Sequence, residues 1–289
     1  MSDYKTASTS FDPRYIEARR VLLDALMALA PHGRAFIVAG AQAVYLRTGD
    51  TDFAIAPYTT DGDLALNPLL LGDDPALEQA MTNAGFSLQI QPGGHVEPGI
   101  WVARADIAGQ AGSVPVDLIV PEGIYSGGGR RGARLGVHGS QATRRAIGLE
   151  AALVDHGPLL ITALDKADSR TIEAEVAGPT ALLIAKAHKI HDRTGDLRAN
   201  RLRDKDAADV VRLMQTFPAS DIRATLVELS SDSIAGPIAM TGHTYLDELF
   251  GRRGRPGIEM AARALRLNMD AETVEVICVS YLAALAPQG

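Results

Sequence analysis

The chain has 289 residues, of which 46% are hydrophobic and 22% charged, and a formal net charge of −7. That length supports a sizeable core in one large or two modest domains, and the composition is ordinary for a soluble globular protein. The acidic balance argues against a globally basic nucleic-acid binder, no apolar run is long enough to span a bilayer, and a single cysteine, Cys278, excludes an internal disulfide or a cysteine-based zinc site. No signal-peptide pattern opens the sequence, so a cytoplasmic protein with no membrane partner is expected.

In chain order, residues 13–30 read as an amphipathic helix with Ile16, Leu22, Leu23, Leu26 and Leu29 on its apolar positions. Phe36 to Val38 reads as a short buried strand, broken by Gly40, and residues 41–47 as a helix. A strand is expected from Asp61 to Leu66, and a helix over residues 75–83 that ends before Gly85. Residues 86–90, 101–107 and 114–120 read as strands. Residues 126–139, dense in glycine and arginine, are expected to form no regular element. Three more strands are expected at 151–154, 159–164 and 171–176. Pro179 suits the first turn of a helix over 180–193. Further helices are expected at 202–217, 222–229, 245–250, 259–267 and 271–285. The fold class is therefore α/β (α+β): a mixed-sheet domain over residues 1–177 and a helical domain over 178–289.

The chemistry concentrates in a few places. Asp61 and Asp63 stand two apart in a strand-like run, and period-two geometry puts both carboxylates on one face. Asp117 lies in the apolar run from Val114 to Val120, where a carboxylate is costly unless paired or metal-bound; it is a metal ligand or general base, or an acid on the wet face of its strand. Three carboxylates on neighbouring strands can hold two divalent metals, as phosphoryl and nucleotidyl transfer require. Magnesium suits such an all-oxygen site with phosphate co-ligands. Gly40, Ala41 and Gln42 open a helix whose N-terminal amides suit a nucleotide phosphate. Arg130, Arg131 and Arg134 form a basic, glycine-rich loop that either binds acceptor phosphates or is simply an exposed loop. His188 and His191 lack the partners of a zinc site and read as surface residues.

Gly40-Ala41, Asp61-Gly62-Asp63-Leu64 and Asp117 together resemble the nucleotidyltransferase fold shared with DNA polymerase β. The stretch from Ala177 to Lys189, followed by Arg193 and by Asp204-Lys205-Asp206-Ala207-Ala208-Asp209, is similar to the AbiEii and MenT group of toxin nucleotidyltransferases. The resemblance spans residues 34–217. Two departures stand out: the first motif reads Gly40-Ala41 where the family has Gly-Ser or Gly-Gly, and the segment from Gly40 to Asp61 is long, with residues 49–58 expected as an inserted loop at the mouth of the site.

The resemblance implies a polymerase-β-like sheet domain followed by a helical domain, with a two-metal Mg²⁺ site and an NTP as substrate. It matches Lys186 and Asp206 to the family's helical lysine and aspartate. Lys186 and Arg193 would hold the triphosphate, and Asp206 or Asp209 would orient one of these cations. Lys186, in the apolar run from Ala181 to Ala187, either snorkels to the surface or meets a triphosphate. The implied acceptor is RNA, with the 3′ end of tRNA foremost, and the implied role is the toxin of a toxin–antitoxin pair with a cognate antitoxin protein. The alternatives are a small-molecule, antibiotic-type nucleotidyltransferase and a non-catalytic member that binds a nucleotide or a partner.

Overall fold

The computed structural model describes residues 11–49, 58–125, 132–195 and 204–286. Helix α1 (Pro13–Leu29) is capped by Asp12, whose carboxylate accepts from the Arg14 amide at 2.7 Å. Strand β1 (Phe36–Ala39) runs directly into helix α2 (Gly40–Thr48). Strand β2 (Gly62–Leu66), helix α3 (Leu77–Asn83) and strands β3 (Ser87–Ile90), β4 (Val96–Ile107) and β5 (Gln110–Pro121) follow. After them come β6 (Gly132–Ala133), β7 (Thr143–Ala146), β8 (His156–Thr162) and β9 (Thr171–Ala177). The remaining described elements are helices: α4 (Pro179–Gly195), α5 (Asp204–Thr216), α6 (Ala219–Ser230), α7 (Ala235–Phe250), α8 (Pro256–Leu265) and α9 (Ala271–Leu285). No helix among the described residues is long and apolar enough to cross a membrane.

The strands join one mixed sheet in the order β3-β4-β5-β2-β1-β9-β8, with β7 also pairing β5 and β6 pairing β7. The expected mixed sheet followed by helices is what the chain forms. Strand β2 is antiparallel to β1 and parallel to β5, with Asp63 in register with Asp117. Residues in register share a face, and successive residues alternate. Gly62 and Leu64 therefore face one side with Val116 and Leu118; a side chain at Gly62 would meet Leu22 of α1 there. Those leucines and valines are fully buried against α1, where each large apolar side chain contributes roughly 1.5–3 kcal/mol. Asp63 and Asp117 are thereby turned to the opposite face, together with Ala65 and Ile119.

Three features tie the helices to that face. The carboxylate of Asp155 accepts from the Ala181 amide at 2.8 Å and so caps α4 from outside the helix. The Arg212 guanidinium of α5 donates to Thr48 Oγ1 and to the Gly49 carbonyl, both at 2.7 Å, at the end of α2. Tyr45 of α2 donates its hydroxyl toward the Tyr58 carbonyl at 3.0 Å and Asp209 of α5 at 3.2 Å. Cys278 lies fully buried in α9, where burial pushes its thiol up to about 12.

Several expected elements are corrected. Residues 150–153 form a 3-10 turn rather than a strand: its buried alanines pack against α4 and α7, and the segment pairs with no strand of the sheet. Strand β7, Thr143-Arg144-Arg145-Ala146, has no apolar alternation and gave no signal; it is held by backbone pairing with β5 and by Trp101, whose Nε1 donates to the Ala142 carbonyl at 2.9 Å. Within the glycine-rich stretch, Gly132–Ala133 forms a short strand and Gly136–His138 a 3-10 turn. Helix α7 begins ten residues before Tyr245, its first half masked by Gly236 and Gly242. Asp61 precedes β2 instead of lying within it.

Removing the Asp155 cap should loosen α4. Asp155→Ala is expected to lower unfolding free energy by about 1–2 kcal/mol, and Asp155→Asn by less, because the amide oxygen still accepts. Urea denaturation of both variants measures this.

Candidate active site

The first part of the site is a convergence of carboxylates beneath a helix start. Asp63 lies so close to Gly40 that a Cβ at residue 40 would collide with its carboxylate, and Gly40 has φ +64°. Both facts require glycine there, for space and for the left-handed backbone. Asp61 is held from Thr59, whose hydroxyl donates to Oδ1 at 2.5 Å. Asp117 receives Arg144 Nη2 on Oδ2 at 2.5 Å. Burial raises the Asp63 pKa to about 6, with Asp61 and Asp117 adding repulsion and Lys189 and Arg144 opposing it. Burial likewise raises Asp117, with Arg144 opposing and Asp61 reinforcing.

The second part is a buried ion network across α4 and α5. Lys186, 3% exposed, donates to Asp206 at 2.7 Å and to Asp209 at 2.6 Å. Burial alone would lower the lysine pKa; the two carboxylates override it and hold the ammonium above its ordinary range. Asp206 also accepts from Arg193 at 2.6 Å and lies 3.3 Å from the Lys189 ammonium. Burial opposes its ionisation, but Lys186, Lys189 and Arg193 keep it far below the usual carboxylate range. Lys205 sits over the Tyr45 ring, 5.7 Å from its centroid, with its pKa lowered by burial.

The two parts meet in a cavity of about 560 Å³. Gly40, Asp63 and Arg144 line one side and Lys186, Lys189 and Arg193 another, with an apolar wall that includes Ile119 and Leu182. A smaller recess beside it brings together Ala41, Asp61, Asp63, Lys186, Lys205 and Asp206. The arrangement opposes oxygen ligands to cations across an open space of nucleotide size. Among the described residues no three acidic or histidine side chains form a ready-made metal cage. The donor set is nevertheless all oxygen, and a divalent cation would offset both the burial that raises the Asp63 pKa and the repulsion from Asp61 and Asp117 that adds to it. Asp61 and Asp63 are the residues that would supply oxygens to such a cation.

The structure thus gathers Gly40, Ala41, Asp61, Asp63, Lys186, Arg193 and Asp206 around the cavity and its adjoining recess, with Asp117 joined to them through Arg144 and its register with Asp63. It turns Gln42 elsewhere: its amide oxygen accepts from Arg19 at 2.8 Å, its amide nitrogen donates to the Asp61 carbonyl at 3.2 Å, and it is 1% exposed. Gln42 steadies the segment carrying Asp61 and has no free polar atom to offer a phosphate. Arg134 is exposed, with its amide donating to the Tyr125 hydroxyl at 2.8 Å; Arg130 and Arg131, and residues 50–57 of the expected loop, lie outside the described residues. Two cleft residues escaped the sequence reading. Arg144 sits on the unrecognised β7. Lys189, one turn beyond Lys186, is the more accessible of the two, its side chain 41% exposed against 4% for the Lys186 side chain.

No protein-family model matches the chain, and no curated protein matches it. Among solved structures, an antigenic nucleotidyltransferase-like protein from Paracoccidioides brasiliensis is similar at 16% identity and a TM-score of 0.44, covering 89% of this chain and 96% of its own. JHP933 from Helicobacter pylori is similar at 12% identity and a TM-score of 0.45, covering 96% of this chain and 93% of its own. Likeness at this level decides nothing about the chemistry of the cleft.

Two consequences of the electrostatics can be measured. A carboxyl whose folded pKa is about 6 against an ordinary 3.8 keeps its proton longer in the folded state, so it costs stability increasingly as pH rises through that window. Asp63→Asn should therefore melt above wild type at pH 7, with the gain vanishing below pH 3.8; equal melting at pH 7 would contradict it. Lys186→Ala leaves Asp206 and Asp209 buried without their shared ammonium and should cost about 3–5 kcal/mol in urea titration. Lys189→Ala should cost less than about 0.5 kcal/mol.

Proposed function

We propose that the chain is a nucleotidyltransferase that moves a nucleoside monophosphate from an NTP to an acceptor hydroxyl and releases pyrophosphate. One observation carries the reading: Asp63 lies against a glycine that accepts no side chain, in register with Asp117, and faces a cavity rimmed by Lys189, Arg193 and Arg144. The mutual repulsion of its carboxylates serves no structural purpose, and a site of that kind is explained by what it binds.

In this reading Lys189 and Arg193 at the mouth of the cavity meet the phosphates, and the backbone around Gly40 and Ala41 lies beside them. Lys186 is the fixed charge behind them, too enclosed by Asp206 and Asp209 to move. A divalent cation bound by Asp61 and Asp63, and by Asp117 as it becomes available, with Mg²⁺ the proposed metal, would supply charge neutralisation on the transferred phosphoryl group. The acceptor oxygen attacks the α-phosphorus, the bond from that phosphorus to the bridging oxygen breaks, and Asp117 takes the hydroxyl proton. The apolar wall at Ile119 and Leu182 leaves room for a base or an acceptor.

The proposed acceptor is RNA, with the tRNA 3′ end foremost, and the proposed biological role is that of a toxin restrained by an antitoxin. Support comes from the sequence resemblance and from the arginines of the 126–139 segment, of which the structure shows Arg134 exposed.

Incubation with total RNA, each labelled NTP and Mg²⁺ should release pyrophosphate and label one RNA class. Asp61→Ala and Asp63→Ala should each reduce turnover by about 10³-fold or more. Lys189→Ala should raise the KM for NTP by about tenfold. Pyrophosphate without labelled RNA would move the acceptor to a small molecule. No pyrophosphate from any NTP, with or without RNA, would defeat the reading.

A further inference from the structure

We propose that Arg144 is a resident counter-ion for Asp117, holding this carboxylate closed to a divalent cation until a nucleotide phosphate draws the guanidinium away. The inference rests on the nucleotidyl-transfer reading and assigns a gating role to a residue outside every motif of the sequence.

Arg144 is placed by its backbone and tied at its tip to Asp117. Its strand pairs with β5 at Ile119, two residues beyond Asp117. Gly99 makes that position possible: a Cβ there would strike the Arg144 amide nitrogen, and Gly99 has φ +73°. The backbone of β7 is therefore fixed by pairing with β5 and by close packing on β4. The Arg144 side chain is 30% exposed and reaches into the cavity.

Its contacts are incomplete. Nη2 meets Asp117 Oδ2 at 2.5 Å, while Nε is buried with no hydrogen-bond partner. A guanidinium is a planar fork suited to two parallel bonds, and a phosphate satisfies it better than a single carboxylate oxygen does. The phosphates of a nucleotide in the cavity would lie within the space that Arg144 already lines with Lys189 and Arg193. Transfer of the fork from Asp117 to phosphate frees the carboxylate when the cation arrives with the nucleotide. The exchange keeps charge balanced at each moment. Without it, Asp117 would stand unpaired near Asp61 and Asp63, and the ligand-free cleft would repel itself further.

The test uses Mn²⁺ alone as the probe, with the full chain and no nucleotide. Free Mn²⁺ is followed by electron paramagnetic resonance. Arg144→Ala should bind Mn²⁺ about tenfold more tightly than wild type. Asp117→Asn in the Arg144→Ala background should erase that gain, which separates release of this carboxylate from a general loss of positive charge. Arg144→Gln is the second variant, and it should show the same gain. Mn²⁺ affinity unchanged or weakened in both variants would overturn the proposal, as would a gain that survives Asp117→Asn. In addition, Arg144→Ala and Arg144→Gln should both bind NTP in EDTA more weakly than wild type; unchanged NTP affinity would also overturn it. If pyrophosphate is released but the Mn²⁺ gain is missing, the gate fails and the nucleotidyl-transfer reading stands. If the Mn²⁺ gain and NTP dependence appear without turnover on any acceptor, the gate stands and the transfer reading fails.

Discussion

The ammonium of Lys186, shared by Asp206 and Asp209 inside the protein, is the interaction on which the rest of the cleft depends. It joins α4 to α5, and Asp209 passes the connection to Tyr45 on α2, the helix that starts at Gly40. Asp206 in turn positions Arg193 and attracts Lys189, the two cations at the cavity mouth. A buried ion pair rarely adds much stability over an apolar replacement, but breaking one is costly. Here its value lies in geometry: it fixes α4 and α5 to each other and to α2, the helix that starts against Asp63.

Much of this was legible because the physics is local. The apolar periodicity of α1, the Gly40 break after Phe36–Val38 and the flanking valines of Asp117 each report on their own neighbourhood, whereas Lys186 and Asp206 were marked as a pair only by the family resemblance. The Gly40 signal was right for a reason the sequence does not display, since the crowding atom belongs to Asp63, more than twenty residues on. Gln42 misled because a polar residue at a helix start looks available, whereas Arg19 and the Asp61 carbonyl use both of its ends.

What stayed hidden is non-local. Thr143-Arg144-Arg145-Ala146 has neither the alternation nor the apolar content of a strand, and it becomes one only because β5 offers it an edge and Gly99 gives it room. Arg144 was invisible as a site residue for the same cause. Lys186 and Lys189 are neighbours on one side of a helical wheel. Only the position of α5 decides that the first is enclosed and the second reaches the cavity.

The burial of Cys278 has a practical consequence. A thiol with its pKa near 12, fully enclosed in α9, offers almost no thiolate to an alkylating reagent at neutral pH. As it is the chain's one cysteine, the native protein is already a silent background for thiol-directed labels. A single cysteine introduced on the exposed face of α4 or on the rim of β7 would carry a spin label or fluorophore alone, with no need to rebuild the core around a deleted native thiol.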